Sequence, residues 1–186
     1  MITRACLAIL ACSATVGAAQ HEIDTKTSVM TVHVGKSGAL SAFGHEHVIS
    51  APVASGSADT EARKVELRVN AAALRVQDTK GSESDKAEIQ KTMLGPEVLD
   101  TAKFHEIVFK STSAEGSGSA WTVHGNLTLH GETRPVTVTV KEQAGRYVGS
   151  ATVKQSEFGI KPVKAAGGTV KVKDEVRIDF DIRLAQ

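Results

Sequence analysis

Residues 121–140 alternate between apolar and polar side chains over almost their whole length. One parity carries Trp121, Val123, Leu127 and Leu129, and the other carries Thr122, His124, Asn126, Thr128 and His130. Because successive side chains of a strand point to opposite faces, the pattern predicts a strand with one buried face. A turn at Gly131 and Glu132 then leads to a second strand, in which valines alternate with threonines. A sheet with one apolar face has to enclose something, either its own side chains or a ligand.

The same period of two recurs from residue 29 to residue 184, as in Val65, Leu67 and Val69. One segment breaks it. Ser82 or Ser84 can cap a helix that carries Ile89 and Met93 four residues apart and stops at Gly95-Pro96. About eight strands with short turns and one helical insertion predict a mainly β fold, an antiparallel barrel or sandwich. A barrel removes the sheet edges and leaves a single inward face, which favours it here.

The first 19 residues have the three parts of a secretory signal peptide. Arg4 lies in a short basic start, an apolar run follows to Val16, and small residues stand at Gly17 to Ala19. We therefore expect residues 1–19 to be removed and residues 20–186 to form one domain, periplasmic or secreted. Cys12 follows Ile9-Leu10-Ala11, which weakly resembles a lipoprotein cleavage box and offers membrane anchoring as an alternative. The apolar run is too short for a transmembrane span.

Charge and motif content exclude several classes of function. Without Arg4, 21 basic residues balance 21 acidic ones, and no basic stripe carries interleaved aromatic residues, which argues against nucleic acid. No serine lies in a nucleophile-elbow context, and both cysteines precede residue 20, so serine or thiol catalysis is not indicated. We therefore expect a protein that is not an enzyme and that binds a hydrophobic small molecule.

The inward parity consists mostly of Val, Leu, Ile and Ala, and the whole chain has one Trp, one Tyr and five Phe. Medium-sized side chains leave volume inside a barrel of about eight strands, which can hold one small ligand. The residues that we predict to line this cavity are Val32, Val65, Leu67, Val69, Trp121, Val123, Leu127, Leu129, Val138, Ile178 and Phe180. The helix residues Ile89, Met93 and Leu94 are the predicted lid or plug.

Three segments resemble one known family. GNLTLHGETRPVTVTV, SEFGIKP and KDEVRIDFDIRL, together with Lys103 to Phe109, are similar to the YceI-like family over roughly residues 23–184. The resemblance implies an exported lipocalin-like β-barrel closed by the helical insertion, with a bound isoprenoid lipid such as a polyprenyl chain. This chain departs from the family pattern at the start of the helix. Family members often have an Arg-Asp pair followed by His-Leu there, whereas this chain has the segment Ser84 to Ile89.

A second departure is the pair His45 and His47. In an extended segment both imidazoles face one side about 7 Å apart, so they can supply two ligands to a metal or haem. Glu46 or His33 would add a third ligand if the fold brings it close. The competing interpretation is that the histidines form hydrogen bonds at the barrel rim. A third interpretation is a barrel that holds no ligand and has a stress-related role. The sequence is compatible with more than one oligomeric state, including a homodimer.

Overall fold

The computed structural model describes residues 20–37, 46–165 and 170–185. Most of these residues lie in one antiparallel sheet, with a single α-helix, α1, at Glu83–Leu94. The strands of the sheet are β1 Gln20–Glu22, β2 Val29–Ser37, β3 His47–Ser50, β4 Val53–Asp59, β5 Lys64–Asn70, β6 Arg75–Val76, β7 Glu106–Ser117, β8 Ala120–Leu129, β9 Glu132–Gln143, β10 Arg146–Lys154, β11 Lys164–Ala165 and β12 Val170–Arg183. The predicted signal segment and His45 lie outside the described residues.

The twelve strands form one continuous, curled sheet. Its strand order is β1-β4-β5-β7-β8-β9-β10-β12-β2-β3-β6, and β11 pairs with β12. β3 and β4 are separated by two residues only, yet β3 pairs with β2 and β4 pairs with β5. Pro52 lies at the break, where it cannot donate to the ladder. An isolated bridge from Ile23 to Leu184 adds a further link near the end of β12. The mainly β, antiparallel barrel-like fold with one helix is as predicted.

The predicted strand count was wrong, because the described part of the chain contains twelve strands rather than about eight. Three of the additional strands have only two or three residues, namely β1, β6 and β11. Strands that short carry too little alternation to be detected in a sequence. The break at Pro52 accounts for the remaining difference, since it divides one bent strand into two.

Helix α1 begins as the sequence predicts. The Ser82 hydroxyl accepts from the backbone N–H of Asp85, and the Asp85 carboxylate accepts from the N–H of Ser82, which together form a capping box. Gln90 fixes the helix to the sheet edge. Its side-chain oxygen accepts from the N–H of Val76 at 2.8 Å, and its amide donates to the carbonyl of Leu74 at 2.8 Å. The helix therefore lies against β6 at one end of the barrel.

The buried core is concentrated at this helix end. Phe158 is completely buried, and around it pack residues from several strands and from α1: Ile49, Ala51, Val69, Leu74, Met93, Leu99, Val153, Ile160 and Val176. A second, smaller cluster of Ile23, Val53 and Ile182 lies near the chain termini. The larger of the two core clusters thus lies at the helix end of the barrel.

The turn of the β8–β9 hairpin lies one residue earlier than predicted. Leu129 pairs with Glu132, so the loop is His130-Gly131, and both residues have positive φ, at 51° and 80°. This geometry matches the right-handed twist of a hairpin. Nδ1 of His130 lies 3.1 Å from the carbonyl oxygen of Phe158, and its ring centroid is 4.6 Å from that of Phe104. His130 is therefore packed in the turn, although its parity predicted a solvated side chain.

Candidate functional site

The inward faces of the strands enclose a cavity of about 1140 Å³. Ladder pairing aligns the inward residues of neighbouring strands, so that Val123 on β8 lies opposite Val138 on β9, and Ala151 on β10 lies opposite Ile178 on β12. Because these side chains are short, they cover the wall without meeting across the interior. The cavity is accordingly surrounded mostly by aliphatic groups, which cannot offer hydrogen bonds to water.

All eleven residues predicted to line a cavity do line this one: Val32, Val65, Leu67, Val69, Trp121, Val123, Leu127, Leu129, Val138, Ile178 and Phe180. Their position follows directly from strand parity. Whether they contact a ligand stays a prediction, since position alone does not establish binding.

Several lining residues escaped the sequence prediction although they share its parity. Met30 and Val34 flank Val32 on the same face of β2, and Val136 and Val140 flank Val138 on β9. Extending each alternating run to its ends would have found them. Phe109 was harder to foresee, because its ring lies over Gly125 on β8. A Cβ at Gly125 would come within 2.5 Å of that ring, so the glycine makes room for it.

Two of the three predicted lid residues line the cavity, and the third, Leu94, does not. Ile89 and Met93 line the cavity, and Met93 is also buried in the core cluster. Leu94 packs against that cluster, and its carbonyl accepts from the Thr101 hydroxyl at 3.0 Å. Together with the two hydrogen bonds of Gln90, these contacts make α1 a packed end piece of the barrel.

Of the predicted histidine pair, His47 lies within the described residues and His45 does not. Among described residues, no group of three or more His, Cys, Asp or Glu side chains is arranged to hold a metal ion. Nδ1 of His47 lies 2.6 Å from Oδ2 of Asp78, whose side chain is fully buried. The other carboxylate oxygen of Asp78 accepts from the N–H of Val48 at 2.7 Å. The carboxylate thus orients His47, which lines the cavity.

His33 and His47 lie on opposite faces of the sheet. His47 pairs with Val34, which faces the cavity, whereas His33 pairs with Val48. Since paired residues share a face, the His33 side chain points outward, where its Nε2 lies 3.4 Å from Oδ2 of Asp179 and its Nδ1 lies 4.0 Å from Oε1 of Glu46. His33 therefore cannot complete a site with His47. Metal binding by His45 and His47 stays a prediction, which metal analysis of a variant lacking both histidines would test.

Polar groups lie at both ends of the apolar cavity. His47, Asp85 and Glu88 line it near α1. At the opposite end, the guanidinium carbon of Arg63 lies 4.8 Å from the centre of the Trp121 ring. Tyr147 and Glu142 line that same end and are paired across β9 and β10. Burial raises the pKa of Tyr147, and the negative charge of Glu142 raises it further. The lining therefore suits a long apolar molecule with a polar terminus.

The fold and the cavity define a barrel protein of the small-molecule-binding class. Residues 21–184 match the YceI-like domain, and the chain therefore belongs to the YceI-like family. The "UPF0312 protein" of Shewanella denitrificans is 32% identical over 164 residues, which cover 78% of this chain and 79% of that protein. The protein of the same name from Shewanella oneidensis is 31% identical over 159 residues, with the same coverage of both chains.

Solved structures show the same fold. BcnA of Burkholderia cenocepacia superimposes with a TM-score of 0.59 at 20% identity, over 88% of this chain and 99% of that chain. The YCEI protein of Campylobacter jejuni gives a TM-score of 0.51 at 12% identity, over 74% of this chain and 81% of that one. Within the described ranges, no helix combines the length and the hydropathy that crossing a membrane requires.

Proposed function

We propose that this protein is an exported, non-enzymatic binder that holds a polyisoprenoid or another long-chain amphiphilic lipid inside its barrel. The observation that carries the proposal is the cavity of about 1140 Å³ with its aliphatic lining. Pockets for drug-sized ligands span about 300–1,000 Å³. A cavity above that range, with few polar groups, suits an extended hydrocarbon chain better than a compact polar metabolite.

The affinity of such a site would come from desolvation. Each buried methylene contributes about 0.8 kcal/mol, so a stretch of ten carbons contributes roughly 8 kcal/mol before the losses of motional freedom on binding. No special chemistry of the lining is needed for this gain. Selectivity among chains would then depend on the length of the cavity and on the polar groups at its ends.

Export is part of the same proposal. Arg4, the apolar run and the small residues at 17–19 support cleavage before residue 20, while Cys12 supports the alternative of lipid anchoring. The mass of the protein recovered from its own host distinguishes the two. Cleavage after residue 19 gives an unmodified chain, whereas acylation at Cys12 leaves a longer, lipid-modified one.

Charged substitutions within the lining test the binding proposal. We expect Leu127→Asp and Ile178→Lys to abolish lipid co-purification, because each introduces a charge into the aliphatic wall. Asn126→Asp is the matched control, since Asn126 is exposed on the outer face of the same strand. Circular dichroism identifies the variants that fold. Undiminished lipid content in a folded Leu127→Asp protein would contradict the assignment of the cavity.

A further inference from the structure

The turn between β4 and β5 places one arginine at the end of the cavity that lies opposite α1. Oδ1 of Asp59 accepts from the N–H groups of Glu61 and Ala62 at 3.0 and 2.7 Å, which shapes the turn. Arg63 follows with φ at 54°, in the left-handed region that few residues other than glycine adopt. Such a conformation is unfavourable and persists where the surroundings enforce it. Its position at a cavity mouth makes a functional role worth testing.

The Arg63 side chain is held on the face of Trp121. The guanidinium carbon is 4.8 Å from the ring centre, which is within the range of a cation–π contact. Strand β7 lies between β5 and β8, and its residue opposite Trp121 is Gly116. Because Gly116 has no side chain, nothing on β7 separates the guanidinium from the ring at this level. A stacked guanidinium keeps its N–H groups at its edge, where they can still donate hydrogen bonds.

The positive charge of Arg63 is not neutralised by an ion pair, although Asp59 of the same turn also lines the cavity. Among the described residues, Arg68, Arg134, Arg146 and Arg177 each form an ion pair. No described carboxylate lies within ion-pair distance of Arg63. Glu142 lines the same end of the cavity, but on the side of Tyr147, whose pKa its charge raises. This end of the cavity thus has Asp59, Arg63 and Lys64 on the side of the β4–β5 turn and Glu142 on the side of Tyr147.

We propose that Arg63, held on Trp121, binds the anionic head group of the amphiphile whose tail occupies the cavity. This inference rests on the proposed function and narrows its ligand class to amphiphiles with a carboxylate or phosphate head. The planar guanidinium fork matches both groups with two parallel hydrogen bonds. Glu142 opposes the same head group by repulsion, so its removal should strengthen anion binding.

Lysines at the α1 end of the cavity offer a competing location for the anionic head group. Lys36, Lys164 and Lys171 also line the cavity, and Lys164 lies directly opposite Lys171 on paired strands. Ammonium groups on flexible stems are strongly hydrated and lose more freedom on binding than a stacked guanidinium. The structure therefore favours Arg63, and the experiment below includes both locations.

The test compares ligands that share one tail. Lipid-stripped protein is titrated by calorimetry with palmitate, hexadecyl phosphate, hexadecanol and hexadecyltrimethylammonium. We expect palmitate and hexadecyl phosphate to bind about tenfold more tightly than the alcohol, a difference of about 1.4 kcal/mol. Arg63→Asn, which suits positive φ, should remove this preference and leave hexadecanol within about twofold. Arg63→Lys should retain part of it, and Glu142→Gln should increase it.

Matched charge controls complete the design. Arg177→Gln removes one positive charge from an exposed position on β12 and should leave every affinity unchanged. Three results would overturn the inference while the proposed function stands. The Arg63→Asn protein could keep the preference for anions, the preference could be lost only in the double variant Lys164→Gln/Lys171→Gln, or the wild-type protein could show no preference. If neither these four probes nor an isoprenoid alcohol binds, the proposed function itself fails, whereas binding of the isoprenoid alcohol alone overturns only the inference about Arg63.

Discussion

The size of the cavity predicts that a larger side chain in its wall will stabilise the empty protein. Ala151 lies half-buried on β10, between Val138 on β9 and Ile178 on β12, and lines the cavity with both of them. Ala151→Leu would extend a side chain into this space without meeting the opposite wall. We expect the free energy of unfolding to rise and the capacity for ligand to fall.

The magnitude follows from the apolar surface that the new side chain buries. Leucine adds three methylene-sized groups, each contributing about 0.8 kcal/mol when fully buried, so the upper limit is about 2.4 kcal/mol. Restricting the leucine rotamers costs roughly 0.5–1 kcal/mol, and burial at a half-exposed position is incomplete. The expected net gain is therefore about 1 kcal/mol. Urea unfolding of lipid-stripped protein measures it, because bound lipid would stabilise the wild type separately.

Ala71 provides the matched control. It is 2% exposed, its N–H donates to the carbonyl of His105 at 2.9 Å, and it lies away from the cavity. Ala71→Leu should therefore overpack its surroundings and cost about 1–3 kcal/mol. If Ala151→Leu destabilises the protein as much as Ala71→Leu does, the barrel interior is filled and the reasoning from an open cavity is refuted.

Two further predictions concern stability. Phe158 is 0% exposed at the centre of the core cluster, so Phe158→Ala should lower the free energy of unfolding by about 3–5 kcal/mol in urea, and a loss below 1 kcal/mol would contradict the packing described. The carboxylate of Asp174 accepts from the Ser156 hydroxyl and N–H, which hold its pKa below the usual range. The stabilising effect of this carboxylate is present above the ordinary aspartate pKa and is lost as the pH falls through the lowered pKa. The Asp174→Asn protein should therefore lose less stability in acid than the wild type. Identical profiles of unfolding free energy against pH would exclude this role.

Strand parity predicted much of the interior. Because alternation depends only on the local sequence, it placed all eleven chosen residues on the cavity wall. The start of α1 was predicted at Ser82 or Ser84, and the structure has the capping box at Ser82. The strand count was not readable, since β1, β6 and β11 are too short to show a period. Pro52 interrupts the chain between β3 and β4, but the pairing of β3 with β2 and of β4 with β5 depends on contacts between distant residues, which alternation does not show.

The polar groups of the site were less predictable than its walls. Arg63 reaches Trp121 because its backbone has positive φ and because Gly116 lies between the two side chains. Neither condition can be predicted from the alternation of apolar and polar residues. Parity likewise predicted a solvated His130, whereas a positive φ in the hairpin turn packs it against Phe104. Asp78, which orients His47 from 31 residues away, carried no local signal at all.

The central claim is that the barrel carries a long-chain lipid, and native mass spectrometry of protein purified without detergent from its own host tests it most directly. We predict a mass excess that dissociates on collisional activation as a single class of long-chain amphiphile, close to one molecule per chain. The same lipid should change the fluorescence of Trp121, the single tryptophan of the chain, when it is added back to stripped protein. A bare chain mass, together with unchanged Trp121 fluorescence on addition of isoprenoid and straight-chain lipids, would contradict the claim.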